Sequence, residues 1–242
     1  MRQKIRRFLV IFSFLVFPVT FYLLSPYLVI MGASERILSG SGFVFLLLFL
    51  SSLFLGRAFC GWVCPAGGFQ DALFNIKGKR FPGKHWIKFL VFVPWFSIIL
   101  IVAVNKGGFS EFRFLYKLES GVSIIQPYAF ITYYIVTGLI LILALSLGRR
   151  GFCHTSCWMA PFMMSGRGIR NIFKWPSLRL SADKSKCTHC LDCTKKCPMS
   201  IDVHDKVNSL SMEHVDCALC CECADGCSAK VIQLRFSSGN QS

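Results

Sequence analysis

Residues 57–65 read RAFCGWVCP, placing Cys60 and Cys64 one helical turn apart directly after an uncharged apolar run, Ile37 to Gly56. The arrangement returns 93 positions later, where residues 150–157 read RGFCHTSC just beyond another such run, Tyr128 to Leu147. Both copies read Arg, small residue, Phe, Cys, three residues, Cys, and each follows a pair of apolar runs, the other two being Phe8 to Met31 and Phe89 to Asn105. Runs of about 17–25 apolar residues are long enough to cross a bilayer. The sequence therefore predicts four transmembrane helices arranged as an internal duplication: helix, helix, thiol pair, twice over.

The bulk composition agrees. Of 242 residues, 54% are hydrophobic and 16% charged, against roughly a quarter charged in soluble domains, and the mean hydropathy is +0.54. The net charge of +15 resides in residues 1–182, with 20 Lys/Arg against 4 Asp/Glu, whereas residues 183–242 carry 7 against 8. That distribution fits membrane topology and lacks the base-stacking or groove-reading pattern of a nucleic-acid binder. The N-terminal segment carries 4 Lys/Arg, the segment between the second and third runs 6, and residues 149–180 another 6, while the two opposite loops hold 1 and 3. The positive-inside rule then expects both termini, and the loop with Cys60 and Cys64, in the cytoplasm. MRQKIRR followed by an apolar run resembles a signal peptide, but the run exceeds the usual apolar length and no small-x-small cleavage site follows, so a retained anchor is expected.

Beyond Trp175 and Pro176 the chain becomes polar and cysteine-rich. CTHCLDCTKKCP (residues 187–198) and CALCCECADGC (residues 217–227) both fit C-x2-C-x2-C-x3-C. In two-cluster ferredoxins this spacing wraps three thiolates around one [4Fe-4S] cluster while the fourth reaches the other. Cys187, Cys190, Cys193 and Cys227 are thus expected on one cluster, and Cys217, Cys220, Cys223 and Cys197 on the second. Zinc has no use for third and fourth cysteines at these offsets, and disulfides do not suit a reducing compartment. The segment resembles a bacterial dicluster ferredoxin domain over residues 181–236, a small α+β fold that depends on its clusters for stability. It departs from the usual pattern at Ser228, where a proline is common, and at Cys221, expected to be a non-ligand neighbour. Val231 and Phe236 are expected to pack.

The remaining thiols, Cys60, Cys64, Cys153 and Cys157, leave three readings open: ligands of a third metal centre, two redox-active dithiols, or small core residues. Arg57 and Arg150 beside them would favour thiolate or an anionic cluster. With CHTSCWMAP, four apolar runs and the ferredoxin tail, GRAFCGWVCP resembles the NapH, NosR, MauN and CcoG group of membrane iron-sulfur proteins, whose hallmark is a C-x3-C-P pair on the cytoplasmic side. The match is complete at Cys60, Cys64 and Pro65. The second copy has Trp158 after Cys157, with proline at Pro161, and a flavin-bearing region of the NosR type is lacking.

The resemblance implies a membrane domain (residues 1–175) and a dicluster domain (181–236) in the inner plasma membrane, passing electrons between a cytoplasmic redox partner protein and quinone or the membrane-edge thiol site. A subunit of a quinol dehydrogenase or other oxidoreductase falls within that description. The rivals are a maturation factor that reduces a metal or cofactor for a partner enzyme, and an iron-sulfur redox sensor. The basic run Lys77, Lys79, Arg80, Lys84 and Lys88 is expected to meet anionic membrane lipid, with Lys88 snorkelling beside interfacial Trp86. The loop Gly107 to Tyr128 is expected to lie on the outer membrane surface. His154 and His189 are not expected to be ligands, and His85, His204 and His214 read as interfacial or surface groups.

Overall fold

The structure is a computed structural model that describes residues 1–75, 78–82, 86–118, 122–124 and 127–239. Its first half runs α1 (Arg2–Leu15), α2 (Phe17–Thr20), α3 (Pro26–Ser34), β1 (Ile37–Ser39), α4 (Gly40–Leu55), α5 (Ala58–Trp62) and α6 (Pro65–Ala72). There follow α7 (Ile87–Asn105), β2 (Glu111–Arg113), α8 (Pro127–Leu147), α9 (Gly151–Thr155) and α10 (Met159–Phe173). The tail comprises β3 (Ser177–Ala182), α11 (Asp192–Lys195), α12 (Val203–Asn208), α13 (Glu222–Asp225) and β4 (Ile232–Ser237).

The duplication is visible in the backbone, since α5 and α9 are the same five positions displaced by the 93-residue repeat. Among the described residues, α7 and α8 are the helices long and apolar enough to cross a membrane. They match the third and fourth expected spans. The other two are less regular. Pro18 and Pro26 stand at helix starts, where a missing N–H does no harm, and they divide the first apolar run into α1, α2, a 3-10 turn over Tyr22–Leu24, and α3. The second run spends Ile37–Ser39 on a strand before α4, whose N-terminus is capped by the Ser39 hydroxyl accepting from the Gly42 amide.

The loop after α7 is not merely laid on a surface. Its β2 pairs in parallel with β1, and Tyr116 is buried against Leu28 and Ile37. Ser123 accepts from the Tyr22 amide at 2.9 Å and donates to the Val19 carbonyl at 2.6 Å, so it satisfies backbone groups freed by the break in the first run.

The tail is not a separate bead on a linker. One apolar cluster runs from Phe17, Phe45 and Ile140 through Met163 to Ile201, Val207 and Ile232. The antiparallel β3–β4 pair, in register from Ser177↔Ser237 to Ala182↔Ile232, closes the tail, so its first strand begins before residue 181. Val231 is buried as expected, but Phe236 is 60% exposed on that strand pair. The amphipathic α10 bridges the two parts. Arg167 and Arg170 from α10 and Arg179 from β3 converge on Glu213, Arg167 through Nε at 3.0 Å and Arg179 through Nη1 at 3.0 Å.

Burial works against the charge of Glu213, yet the three guanidinium groups hold its pKa below the ordinary glutamate value. A depressed folded pKa gives stability that is present above the unfolded value, near 4.3, and that disappears as pH falls through the folded one. Glu213→Gln is expected to cost about 1–3 kcal/mol at neutral pH, the partial exposure of the carboxylate keeping it from more. It should also flatten the acid side of a thermal-unfolding profile measured in detergent.

Candidate functional site

Both thiol turns are built alike. Arg57 precedes α5, and Arg150, at φ 49°, precedes α9. Cys60 lies within α5 and Cys64 at the start of α6; Cys153 lies within α9 and Cys157 just before α10. The Cys64 amide donates to the Phe59 carbonyl at 2.9 Å and the Cys157 amide to the Phe152 carbonyl at 3.1 Å, so each copy folds its second cysteine back over its first. All four thiols are buried in the same core cluster, and Cys64 interacts electrostatically with Cys60, Cys153 and Cys157. The two halves of the repeat therefore converge on one site.

Burial, reinforced by neighbouring thiols, pushes Cys64 well above its ordinary pKa and Cys157 up to about 12. Burial also raises Cys153, against the pull of Arg150 and a hydrogen bond from Gln70. Thiols so disfavoured as free thiolates would ionise on meeting a cationic centre, releasing protons. Arg57 and Arg150 are both buried. Burial opposes their charge, but Cys60 and Asp216 hold Arg57, and Asp71 holds Arg150, more firmly protonated than ordinary arginine.

The supports of the site include residues that motif reading passed over. Asp71 accepts from Arg150 Nε at 2.8 Å and Nη2 at 2.7 Å, and from Arg6 Nη1 at 2.8 Å. Gln70 donates through Nε2 to Cys153 Sγ at 3.2 Å while its Oε1 accepts from the Phe152 amide at 3.1 Å. Asp216, immediately before Cys217, is fully buried; its Oδ1 accepts from Arg57 Nη1 at 3.1 Å and from Lys88 Nζ. Lys88 is thus a buried partner of the tail instead of a snorkelling amine. His154 is buried, stacks on Phe81 with ring centroids 4.5 Å apart, and has Nδ1 at 3.9 Å from Asp216 Oδ2. Arg80 reaches the Ser200 carbonyl at 3.0 Å. Lys77, Lys84 and His85 lie outside the described residues.

In the tail the two motifs fold as copies displaced by 30 positions. His189 and Leu219, Leu191 and Cys221, and Ser200 and Lys230 all take positive φ between 50° and 62°. These left-handed positions bend each loop around a common centre. Cys193 interacts electrostatically with Cys227 and Cys187, and Cys223 with Cys220, Cys217, Cys197 and Cys221. Cys197, Cys217, Cys220, Cys221 and Cys223 also line one cavity. Burial raises Cys220 to about 11 and Cys197 to about 12. Cys221 occupies the position of Leu191, its Sγ directed to the Leu219 carbonyl at 3.4 Å. Ser228 keeps the turn that Pro198 makes, with the Lys230 amide on the Cys227 carbonyl as the Ser200 amide is on that of Cys197.

Among the described residues, the group of three whose ligand atoms lie within 4.8 Å of one another is Cys187, His189 and His204. There His189 Nδ1 and His204 Nε2 hydrogen-bond to each other at 2.8 Å.

The family described as a 4Fe-4S binding domain matches residues 39–84 and 129–176, one cysteine pair in each segment. The chain is 26% identical over 199 residues to the ferredoxin-type protein NapH of Escherichia coli, covering 77% of this chain and 65% of NapH. It is 23% identical to YccM of the same bacterium, provisionally named an electron transport protein, over 73% of this chain and half of YccM. An uncharacterized protein of Methanocaldococcus jannaschii is 23% identical over 77% of this chain and 75% of its own length. No solved structure matches.

Gln70→Leu removes both the donor to Cys153 and the acceptor for the buried Phe152 amide. A cost of about 1–3 kcal/mol in thermal or denaturant stability is expected.

Proposed function

We propose that the chain is a NapH-like iron-sulfur electron-transfer protein that carries single electrons between a soluble redox partner protein and quinone in the membrane. The observation that carries this reading is the convergence of Cys60, Cys64, Cys153 and Cys157 in one buried site packed against the tail. We assign Cys187, Cys190, Cys193 and Cys227 to one [4Fe-4S] cluster, Cys217, Cys220, Cys223 and Cys197 to a second, and the membrane-edge quartet to a third. When bound, the clusters supply one-electron redox chemistry.

The chain's own residues do the rest. Arg57 and Arg150 offset the negative charge of four buried thiolates, and the amide of Gln70 donates to a ligand sulfur, an interaction that tunes potential. The core around the quartet excludes water. An apolar cavity of about 200 Å3 lies between the first apolar segment, α8 and the two thiol turns. Phe17, Phe21, Pro65, Ala66, Trp158 and Met159 are among its lining residues, and four of these directly follow Cys64 or Cys157. An apolar ring held there would border the quartet, which supports quinone as the membrane-side partner; its reduction to quinol takes two electrons, delivered singly, and two protons from water.

We read the protein as crossing the membrane four times, with segments 8–31 and 37–56 completing the pair α7 and α8. Contacts of Arg2 with Asp225 and of Gln3 with the Cys220 carbonyl hold the start of the chain against the tail, which supports both termini on the same, cytoplasmic side.

The test is reoxidation of the chemically reduced protein by a short-chain quinone under anaerobic conditions. Rapid reoxidation is expected for the wild type. Ala66→Phe, which puts a ring into the cavity, should weaken quinone binding by about tenfold or more, equivalent to about 1.4 kcal/mol, with iron content unchanged. The buried, metal-competent quartet also favours a second reading, a maturation factor that reduces a metal for a partner enzyme. Quinone reactivity that survives replacement of Cys60 and Cys64, with loss of activity in the partner, would favour that reading.

A further inference from the structure

The two cysteine sets of the tail are not equivalent in position. Cys190 is exposed and Cys187, Cys193 and Cys227 are half-buried, whereas in the other set Cys197, Cys220 and Cys223 are buried and Cys217 is half-buried. The loop bearing Cys217 and Cys220 is pressed onto the first thiol turn. A Cβ added at Gly61, between Cys60 and Cys64, would collide with the Ala218 carbonyl and meet the Cys220 backbone at 3.2 Å. Trp62 Nε1 donates to the Leu219 carbonyl at 3.0 Å. Arg150 donates to the Cys60 carbonyl at 3.1 Å and interacts electrostatically with both Cys153 and Cys220. Asp216, one residue before Cys217, is clamped by Arg57 and Lys88, and Arg57 Nη1 also reaches the Val215 carbonyl at 3.2 Å.

Resting on the reading that the tail holds two clusters, we propose that electrons traverse the protein in a fixed spatial order. The Cys187/Cys190/Cys193/Cys227 set faces outward to the soluble partner. The Cys217/Cys220/Cys223/Cys197 set is the inner carrier site, seated by Asp216 against the membrane-edge quartet. The junction is the contact of Gly61–Trp62 with Ala218–Cys220. Each transfer oxidises one site by one electron as its neighbour is reduced by one, with no bond made or broken. Arg57 and Arg150 act at the junction as positioning residues: Arg57 is bound to Val215 and Asp216 of the tail beside Cys60, and Arg150, paired with Asp71, holds the Cys60 carbonyl and reaches Met199 Sδ of the tail at 3.7 Å.

Paramagnetic relaxation tests this on the full-length, anaerobically reduced protein, with a water-soluble dysprosium(III) chelate as probe and EPR as readout. Of the two cluster signals of the tail, one is expected to relax severalfold faster with the chelate and to vanish in Cys190→Ser, while the second stays protected. Gly61→Val, which wedges the junction, and Asp216→Asn, which loosens the clamp, should bring the second signal severalfold closer to the first. Trp62→Phe, a milder change that removes one hydrogen bond, should do so in part. Equal relaxation of both signals in the wild type, or loss of the protected signal in Cys190→Ser, overturns the order. The absence of both signals overturns instead the iron-sulfur reading beneath it.

Discussion

A carboxylate with no exposed surface holds this protein together: Asp216, buried beside Arg57 and Lys88 with His154 close by. Removing one partner of a buried ion pair leaves the other charge uncompensated, at about 3–5 kcal/mol. The groups clamped together come from three parts of the chain: the first thiol turn, the start of α7, and the loop of the second tail motif. The pairing therefore fixes where the tail sits on the helical part of the chain, and with it the separation of every proposed carrier site.

A second buried pairing, Arg150 with Asp71, ties the second thiol turn to the helix following the first. The equivalent arginines of the repeat thus have different partners, one in the tail and one in the other half. Duplication has given two like turns, and long-range carboxylates distinguish them. Arg6 extends this network by joining Asp71 and Glu222, so the N-terminal helix is pinned by the same charges.

The sequence disclosed whatever was periodic or repeated. The offsets of 93 and 30 positions correspond to structural copies because identical spacing produces identical turns, as α5 with α9 and the paired left-handed residues of the tail show. It did not disclose contacts between residues distant in the chain. Lys88, at the edge of an apolar run, has the same local signature whether it snorkels or is buried on Asp216. Asp71 gave a signal in retrospect, as one of 4 acids among the first 182 residues. The break in the first run was foreshadowed by Pro18 and Pro26, but hydropathy alone passes over them. Pairing of β2 with β1 depended on residues 74 positions apart and left no local pattern.

The account stands on the membrane-edge quartet being a third cluster site assembled from both halves of the repeat. Iron and acid-labile sulfide per chain, measured on anaerobically purified wild type and on the Cys60→Ser/Cys153→Ser double variant, address it most directly. About twelve irons falling to about eight, with the tail signals preserved in reduced-state EPR, is the expected result. About eight in both proteins would contradict it and leave the four buried thiols without a cluster.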